Sequence, residues 1–399
     1  MPAYTIKNFP FEAGFSREPI PALPMRLDFT LDIDPQSGII VEKLDDKIRS
    51  ALRQYYETGG YGSTPLGEGD FATRQANQII DALKSCLNSA GKRIETSDFL
   101  EIGSSYGYLL YLLKQEGAKS VMGVEPGDEG NIGSKKYGVP LVQDFFPTDR
   151  LEGKFDVIFS HAVVEHIEDP VFIVKKMVER LNPDGAVFLA VPECENKMRV
   201  GDVSIISHQH VNYFTSRSLQ GLLEAAGLSE VRVIASSQRS ILYAWGIKRE
   251  TAEAPRAVVG SDEPLLSIFA ETFEKNKHSM QTIIDGAESH GRSIGLYGAS
   301  IVLKGILQFK TEPRLFDSDA AKHGKRMAGE GSAIESPEAL AANPPDVIFV
   351  CPIDYDKEIR SFLSGLNLPQ ETEIISLKEI FEKNAGTSYT VGSVEAEKL

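Results

Sequence analysis

The chain has 399 residues, 42% of them hydrophobic and 25% charged, and its 57 acidic side chains outnumber 42 basic ones for a formal charge of −15. Such a soluble, acidic chain predicts two or three domains at about 150 residues each, a small-molecule substrate and no nucleic-acid partner, because no basic cluster offsets the repulsion from a phosphate backbone. No apolar run approaches the roughly 18 residues of a membrane span, and the N-terminus lacks a signal peptide's basic and apolar regions, so a cytoplasmic protein without a membrane partner is expected.

Residues 1–75 are rich in proline and glycine and hold the alternating runs "MRLDFTLDI" and "GIIVEKL", which predict a small β-rich N-terminal region. Near its end, "QYYETGGYGSTPLGEGDFATR" sets Tyr56, Tyr61 and Ser63 among glycines, a candidate lid or an ordinary linker. In "NQIIDALKSCLNSAG" the positions Ile79, Ile80, Leu83, Cys86 and Leu87 share one helical face. Across residues 76–250 strand, turn and helix alternate through "DFLEIG", "YLLYLLKQEG", "SVMGVEPG", "FDVIFSHA", "VFIVKKMVERLNPDG" and "AVFLAVP". That pattern predicts an α/β fold, a doubly wound and mostly parallel sheet covered on both faces. The runs "VRVIASS" and "ILYAWGIK" close it as an antiparallel hairpin.

Residues 251–290 lose periodicity around Pro255 and Pro264 and then give a long helix with Leu265, Ile268, Phe269 and Phe273 on one face. Alternation restarts over 291–385 in "SIGLYGAS", "IVLKGILQF", "PRLFDSD", "PDVIFVCP" and "EIRSFLSGL", a second, smaller α/β domain. Residues 386–399 have little to bury and are expected to form a mobile tail. The cysteines, Cys86, Cys194 and Cys351, form no CxxC pair and predict neither a disulfide framework nor a thiolate metal site.

Chemistry concentrates first in "FLEIGSSYGYLLYLL". An apolar strand ends near Glu101, turns through Gly103, Ser104 and Gly107, and enters a helix. Glycines there let a backbone approach a ligand closely. The spacing is GxxxG rather than the GxGxxG of a dinucleotide site, and Glu101 lies two residues ahead of the first glycine. A carboxylate there suits the charged amino group of a methionine moiety, whereas beside a pyrophosphate it would repel. The next strand ends at Glu125, 18 residues beyond Gly107, where an acid takes ribose hydroxyls. The pattern favours S-adenosylmethionine over NAD. An NAD-dependent oxidoreductase and a non-catalytic nucleotide-binding protein are the competing classes.

The stretches "EIGSSYG", "GVEPG", "VQDFF" and "HAVVEHIEDP" resemble the class I methyltransferase core over residues 95–250. The resemblance implies that Glu101, Gly103, Ser104, Gly107 and Glu125 hold S-adenosylmethionine and that Asp144, with Phe145 beside it, contacts the adenine. A helix cap or surface carboxylate is the other reading of Asp144. The C-terminal stretches "SIGLYGASIVLKGIL" and "PPDVIFVCPIDYDKEI" are similar to the Rossmann-like domain of the C-methyltransferases that act on nucleotide-linked keto-deoxysugars. That implies a nucleotide sugar as substrate, with Gly298 and Lys304 near its phosphates; an unliganded strand–helix connection is the alternative. The family's N-terminal zinc motif is not carried over, since residues 1–75 contain no cysteine and no histidine.

The remaining candidates are histidines. In "SHQHVNYFT" the family places its base histidine at the position of His210, with a tyrosine and a glutamate where this chain has Ser207 and Gln209. A histidine suits proton abstraction because its ordinary pKa of about 6.5 lies near neutral pH. The resemblance implies His210 as general base and His166, in "VVEHIED", as a partner for substrate or oxyanion. His161 would line the cofactor cleft and His208 would meet substrate; Tyr213 and Phe214 are read first as packing residues, with stacking of Tyr213 on substrate as the alternative. Glu165 is expected to pair with a main-chain amide. His208 and His210 would share a face as a metal-binding pair if their segment were a strand, but no third ligand is identifiable, Cys194 and His166 being merely conceivable, and no metal is expected. A hydrogen-bonded core pair is the remaining alternative. With Ser207 and Gln209 in place of the family residues, O- or N-methylation of a related sugar competes with C-methylation.

Overall fold

Five apolar segments, Asp98–Ile102, Ser120–Val124, Leu141–Val142, Phe155–His161 and Leu181–Pro192, pair in parallel. The last also pairs antiparallel with Ile241–Ile247, which returns from Ser229–Ala235 as the expected hairpin. These elements belong to a computed structural model that describes residues 3–11, 15–16, 23–57, 69–236, 241–249, 260–298, 301–327 and 330–389. Tyr61 and Ser63 of the candidate lid lie outside the described residues, as does the side chain of Lys304. From one edge to the other the sheet runs Ser229–Ala235, Ile241–Ile247, Leu181–Pro192, Phe155–His161, Asp98–Ile102, Ser120–Val124, Leu141–Val142. Covered on both faces, its central strands are buried along almost their whole length, which is why they read as continuous apolar runs. The order reverses between Asp98–Ile102 and Phe155–His161, and a doubly wound sheet binds ligands at such a switch point, beyond the carboxyl ends of the strands.

Helices flank this sheet where the sequence supplies caps. Pro170–Glu179 begins with Asp169 accepting the Phe172 amide and proline in its first turn, a conformation and missing N–H that suit that position. Ser216–Ala225 carries a full capping box between Thr215 and Ser218. In the helix Gly69–Ser89 the expected face is buried throughout, at Ile79, Ile80, Leu83, Cys86 and Leu87.

A second, antiparallel sheet joins Tyr4–Pro10, Arg26–Ile33 and Ile40–Glu42, and its fourth strand is Asn212–Tyr213. The residues directly after "SHQH" therefore complete a sheet begun at the N-terminus. The third sheet orders Glu373–Ser376, Val347–Val350, Ile294–Tyr297, Arg314–Phe316, Glu330–Glu335, Arg326–Met327 and Phe15–Ser16. Its first five strands are parallel.

The long helix Glu263–Ser289 joins these parts. Leu265, Phe269, Phe273, Met280 and Ile284 are buried in a cluster that includes Phe29 and Leu31 of the N-terminal sheet and Leu296 and Phe349 of the third. Ile268, expected on that face, is 37% exposed, so the stripe is completed by positions 266 and 280 instead. Asn276 at its middle is fully buried and donates to the carbonyls of Val200 and Gly201. Of the expected tail, residues 390–399 lie outside the described residues, while Tyr389 is buried and its hydroxyl donates to Asp354. No helix among the described residues is long and apolar enough to cross a membrane.

Candidate active site

The glycine turn after Asp98–Ile102 is built by backbone need. Gly103 and Gly107 have φ of +69° and +73°, and a Cβ on either would meet Val163 Cγ2 at 2.5 Å or Val139 Cγ2 at 2.7 Å. Positive φ and the lack of room both exclude larger residues. The contact with Val163 also sets the turn directly against the loop that carries Glu165 and His166.

Glu101 is 3% exposed, and its Oε2 has no hydrogen-bond partner among the described residues, as is true of Ser104 Oγ. Burial, and then the neighbouring Glu125, push the Glu101 carboxyl well above its ordinary range. Glu125 accepts the amides of Ser105 at 2.8 Å and Gly127 at 2.9 Å, which offset only part of the rise that burial causes. Asp144 accepts Thr148 Oγ1 at 2.6 Å and the Phe145 amide at 2.8 Å, contacts that hold its carboxyl below the ordinary value. It thus locks its own loop, while the Phe145 ring beside it is 69% exposed. His161 ends its strand half-buried, with Nε2 3.2 Å from Gln75 Nε2 on the flanking helix. An unpartnered buried carboxyl, an unpartnered hydroxyl, a close-approach turn and an exposed ring fit S-adenosylmethionine: Glu101 would hold its amino group, Glu125 its ribose and Phe145 its adenine.

The histidines separate. "SHQH" is a turn rather than a strand, so His208 and His210 point apart. His208 is fully buried among Phe9, Phe11 and Phe29 and lies 2.5 Å from Glu42. Burial drives both partners toward their neutral forms, lowering His208 to about 4 and raising Glu42 to about 10. His208 is therefore a core residue and not a substrate contact. Tyr213 packs as well: it is 2% exposed, and its hydroxyl accepts the Ser207 amide and donates to the Ser207 carbonyl. Ser207 Oγ bonds Gln209 Oε1, and Gln209 Nε2 donates to the Phe11 carbonyl. The two residues that depart from the family pattern are thus spent on the seam with the N-terminal sheet.

His210 turns the other way, half-buried, its ring 5.0 Å from that of His166. Burial, and then His166, lower its pKa to about 3, with a main-chain bond at Ile205 working in the opposite direction. His166 Nδ1 lies 2.6 Å from the Gln209 carbonyl. A carbonyl only accepts, so Nδ1 carries the proton and Nε2 a lone pair. The neutral ring cannot donate to an oxyanion through Nε2, which corrects that expected role. Glu165 is 1% exposed, and neither carboxyl oxygen makes a well-formed hydrogen bond among the described residues; of the main-chain amides, its own works to lower the carboxyl. Burial raises its carboxyl to about 8, and its Oε1 lies 3.9 Å from His166 Nε2. One ligand atom each of Glu165, His166 and His210 falls within 4.8 Å of the others, so His210 gathers with His166 and Glu165 rather than with His208.

Two positioning residues escaped the sequence reading, and a third, Tyr56, entered it only as part of the candidate lid. Asn212, buried, donates to the carbonyls of Ile167 at 2.6 Å and Val164 at 3.3 Å. Glu42 anchors His208 from 166 residues away. The Tyr56 hydroxyl, from the start of the candidate lid, lies 3.3 Å from His166 Nδ1. In the third sheet, Gly298 has φ of +75°, and a Cβ there would meet Pro352 Cγ at 2.3 Å. The close contact is with a proline ring, which accounts for the glycine without a phosphate.

A methyltransferase domain model matches residues 71–233, and a model of the C-methyltransferase C-terminal domain matches residues 245–368. The chain is 25% identical over 320 residues to C-methyltransferase NovU of Streptomyces niveus, spanning 74% of this chain and 76% of that protein. It is 28% identical over 214 residues to a tRNA U34 carboxymethyltransferase of Campylobacter hominis, spanning 48% and 71%. Among solved structures, the N-methyltransferase NodS of Bradyrhizobium japonicum WM9 with S-adenosyl-L-homocysteine is 20% identical, covering 50% of this chain and 99% of that one at a TM-score of 0.39. The chain belongs to the S-adenosylmethionine-dependent methyltransferases, its methyltransferase domain followed by the C-terminal domain of the C-methyltransferases.

Proposed function

We propose that this methyltransferase acts in the cytosol on a nucleotide-linked keto-deoxysugar and methylates a carbon next to its ketone, with His210 as general base. The observation that carries this reading is the placement of His210: half-buried beside His166, on a turn laced to the loop that abuts the Gly103 turn. Bound S-adenosylmethionine supplies an electrophilic methyl group. The residues of the chain orient the acceptor in line with it, exclude water and take the proton. His210 is neutral at pH 7 and so holds a lone pair for that proton. Glu165, kept protonated by burial, is a donor for the enolate oxygen, the role that the neutral His166 ring cannot fill. The charge of −15 and similarity to a C-methyltransferase over three-quarters of the chain support a small acceptor over a nucleic acid.

One observation favours O- or N-methylation instead. Gln209 and Ser207 are bound into the seam, which leaves His210 without the family's tyrosine and glutamate, and a heteroatom acceptor needs only one base. Incubation with S-adenosylmethionine and a panel of nucleotide sugars in D2O, read by mass spectrometry and NMR, tests the choice. Carbon methylation gives deuterium next to the ketone and a new carbon–methyl signal, both lost in His210→Ala. A methyl on oxygen or nitrogen overturns the carbon assignment.

A further inference from the structure

The Glu165 carboxyl is hard to explain as a structural group. Buried acids are nearly always hydrogen-bonded, yet both of its oxygens lack a hydrogen-bond partner among the described residues while it sits at 1% exposure. Its Oε1 lies 3.9 Å from His166 Nε2, which carries a lone pair because Nδ1 donates to the Gln209 carbonyl. A metal-ligating histidine characteristically uses its second ring nitrogen in this way, fixing tautomer and ring orientation through a main-chain carbonyl. His210 completes the group.

We propose that Glu165, His166 and His210 bind one divalent first-row transition cation such as Zn2+, Co2+ or Mn2+. Two imidazoles and one carboxylate are the donor set of such ions, whereas Ca2+ takes six to eight oxygens. The three atoms lie within 4.8 Å of one another, a spacing from which they would close on an ion at about 2.0–2.2 Å. The His166 side chain is 26% exposed, so coordination positions remain on the open side.

This inference goes beyond the base assignment and opposes it, because a cation on His210 consumes the lone pair that abstracts the proton. Bound metal is therefore an inhibitor of carbon methylation. The test uses the full chain, stripped with a chelator and dialysed, then titrated with Co2+ and followed by its visible ligand-field absorption, with Zn2+ binding measured by equilibrium dialysis. One cation per chain is expected, with affinity falling at least about tenfold in Glu165→Gln and in His210→Gln and unchanged in His290→Ala, which alters an exposed histidine on the long helix. Circular dichroism confirms that the variants are folded. Absence of ligand-field bands, or equal affinity in all the proteins, overturns the metal site and leaves the base assignment standing. Methyl transfer that requires the cation upholds the site and overturns the base.

Discussion

Nδ1 of His166 donates to the main-chain carbonyl of Gln209 at 2.6 Å, and this bond ties the loop after one core strand to the turn that carries His210. Two further links run between the same segments, the Val211 amide to the Glu165 carbonyl at 2.7 Å and the Asn212 side chain to Ile167 and Val164. The proposed base is thus held by main-chain geometry as well as by the bond of its own ring at Ile205.

Asn212 is the most accessible part of that lacing. Asn212→Ala leaves two buried carbonyls without their donor and is expected to cost about 1–3 kcal/mol in denaturant unfolding. Methyl transfer should fall while S-adenosylmethionine affinity holds, since the cofactor turn is untouched. Asn212→Asp keeps the volume but cannot donate, so it should lose as much; a fully active Asn212→Asp would show that hydrogen bonding does not position His210.

The lowered pKa of His210 predicts an unusual pH profile. A histidine with its ordinary pKa of about 6.5 would protonate and lose activity as pH falls through that value. With the folded value near 3, the ring stays neutral, and kcat/KM for the acceptor at saturating cofactor should remain flat through pH 6.5 when a chelator is present. A clear acidic limb near 6.5, absent from His210→Gln, would place the base in a far more solvated site.

Part of this arrangement was legible in sequence because it is local. A glycine turn between an apolar strand and an apolar helix declares itself within ten residues, and so do the parallel strands and the closing hairpin. The histidine geometry did not, because it depends on distant chain. Whether His208 and His210 share a face is decided by a turn that exists only because Asn212–Tyr213 joins a sheet begun at Tyr4. Glu42 lies 166 residues from His208, and no spacing rule connects them. That Glu165 is buried beside His166 and makes no well-formed hydrogen bond among the described residues is a property of the packed structure that its spacing in sequence does not announce.

The Glu42–His208 pair gives a prediction about stability. His208→Ala strips the partner from a buried carboxyl and opens a cavity among Phe9, Phe11 and Phe29, and should destabilise by several kcal/mol, on the order of 3–5. Glu42→Leu with His208→Phe replaces the pair by apolar volume and should recover most of that loss. His208, lowered to about 4, contributes stability above about pH 6.5 that is lost as pH falls toward 4. Glu42, raised to about 10, contributes stability in full below about pH 4.5 that is lost as pH rises toward 10. The double variant should therefore show a flatter stability–pH curve on both sides. A His208→Ala protein as stable as the parent but inactive would restore His208 to the substrate site.

Glu101 links the cofactor to a proton. In the free protein, burial and Glu125 hold its carboxyl well above the ordinary range, so a proton occupies it under conditions where an exposed glutamate is ionised. The amino group of S-adenosylmethionine is a cation that favours the ionised carboxylate. Binding should expel the proton, and affinity should strengthen as pH rises toward the raised pKa. Calorimetry in buffers of different ionisation enthalpy measures the release directly. Glu101→Gln should abolish it and weaken binding by about 1.5–3 kcal/mol, roughly ten- to hundredfold in Kd, because a neutral amide replaces a charge-assisted bond. Ser104→Ala removes a neighbouring hydroxyl without touching the carboxyl and should leave the proton release intact. Binding with no proton release in the parent protein, at a pH where Glu101 is still protonated in the free chain, would mean that the amino group rests elsewhere, with Glu125 as the next acid in reach.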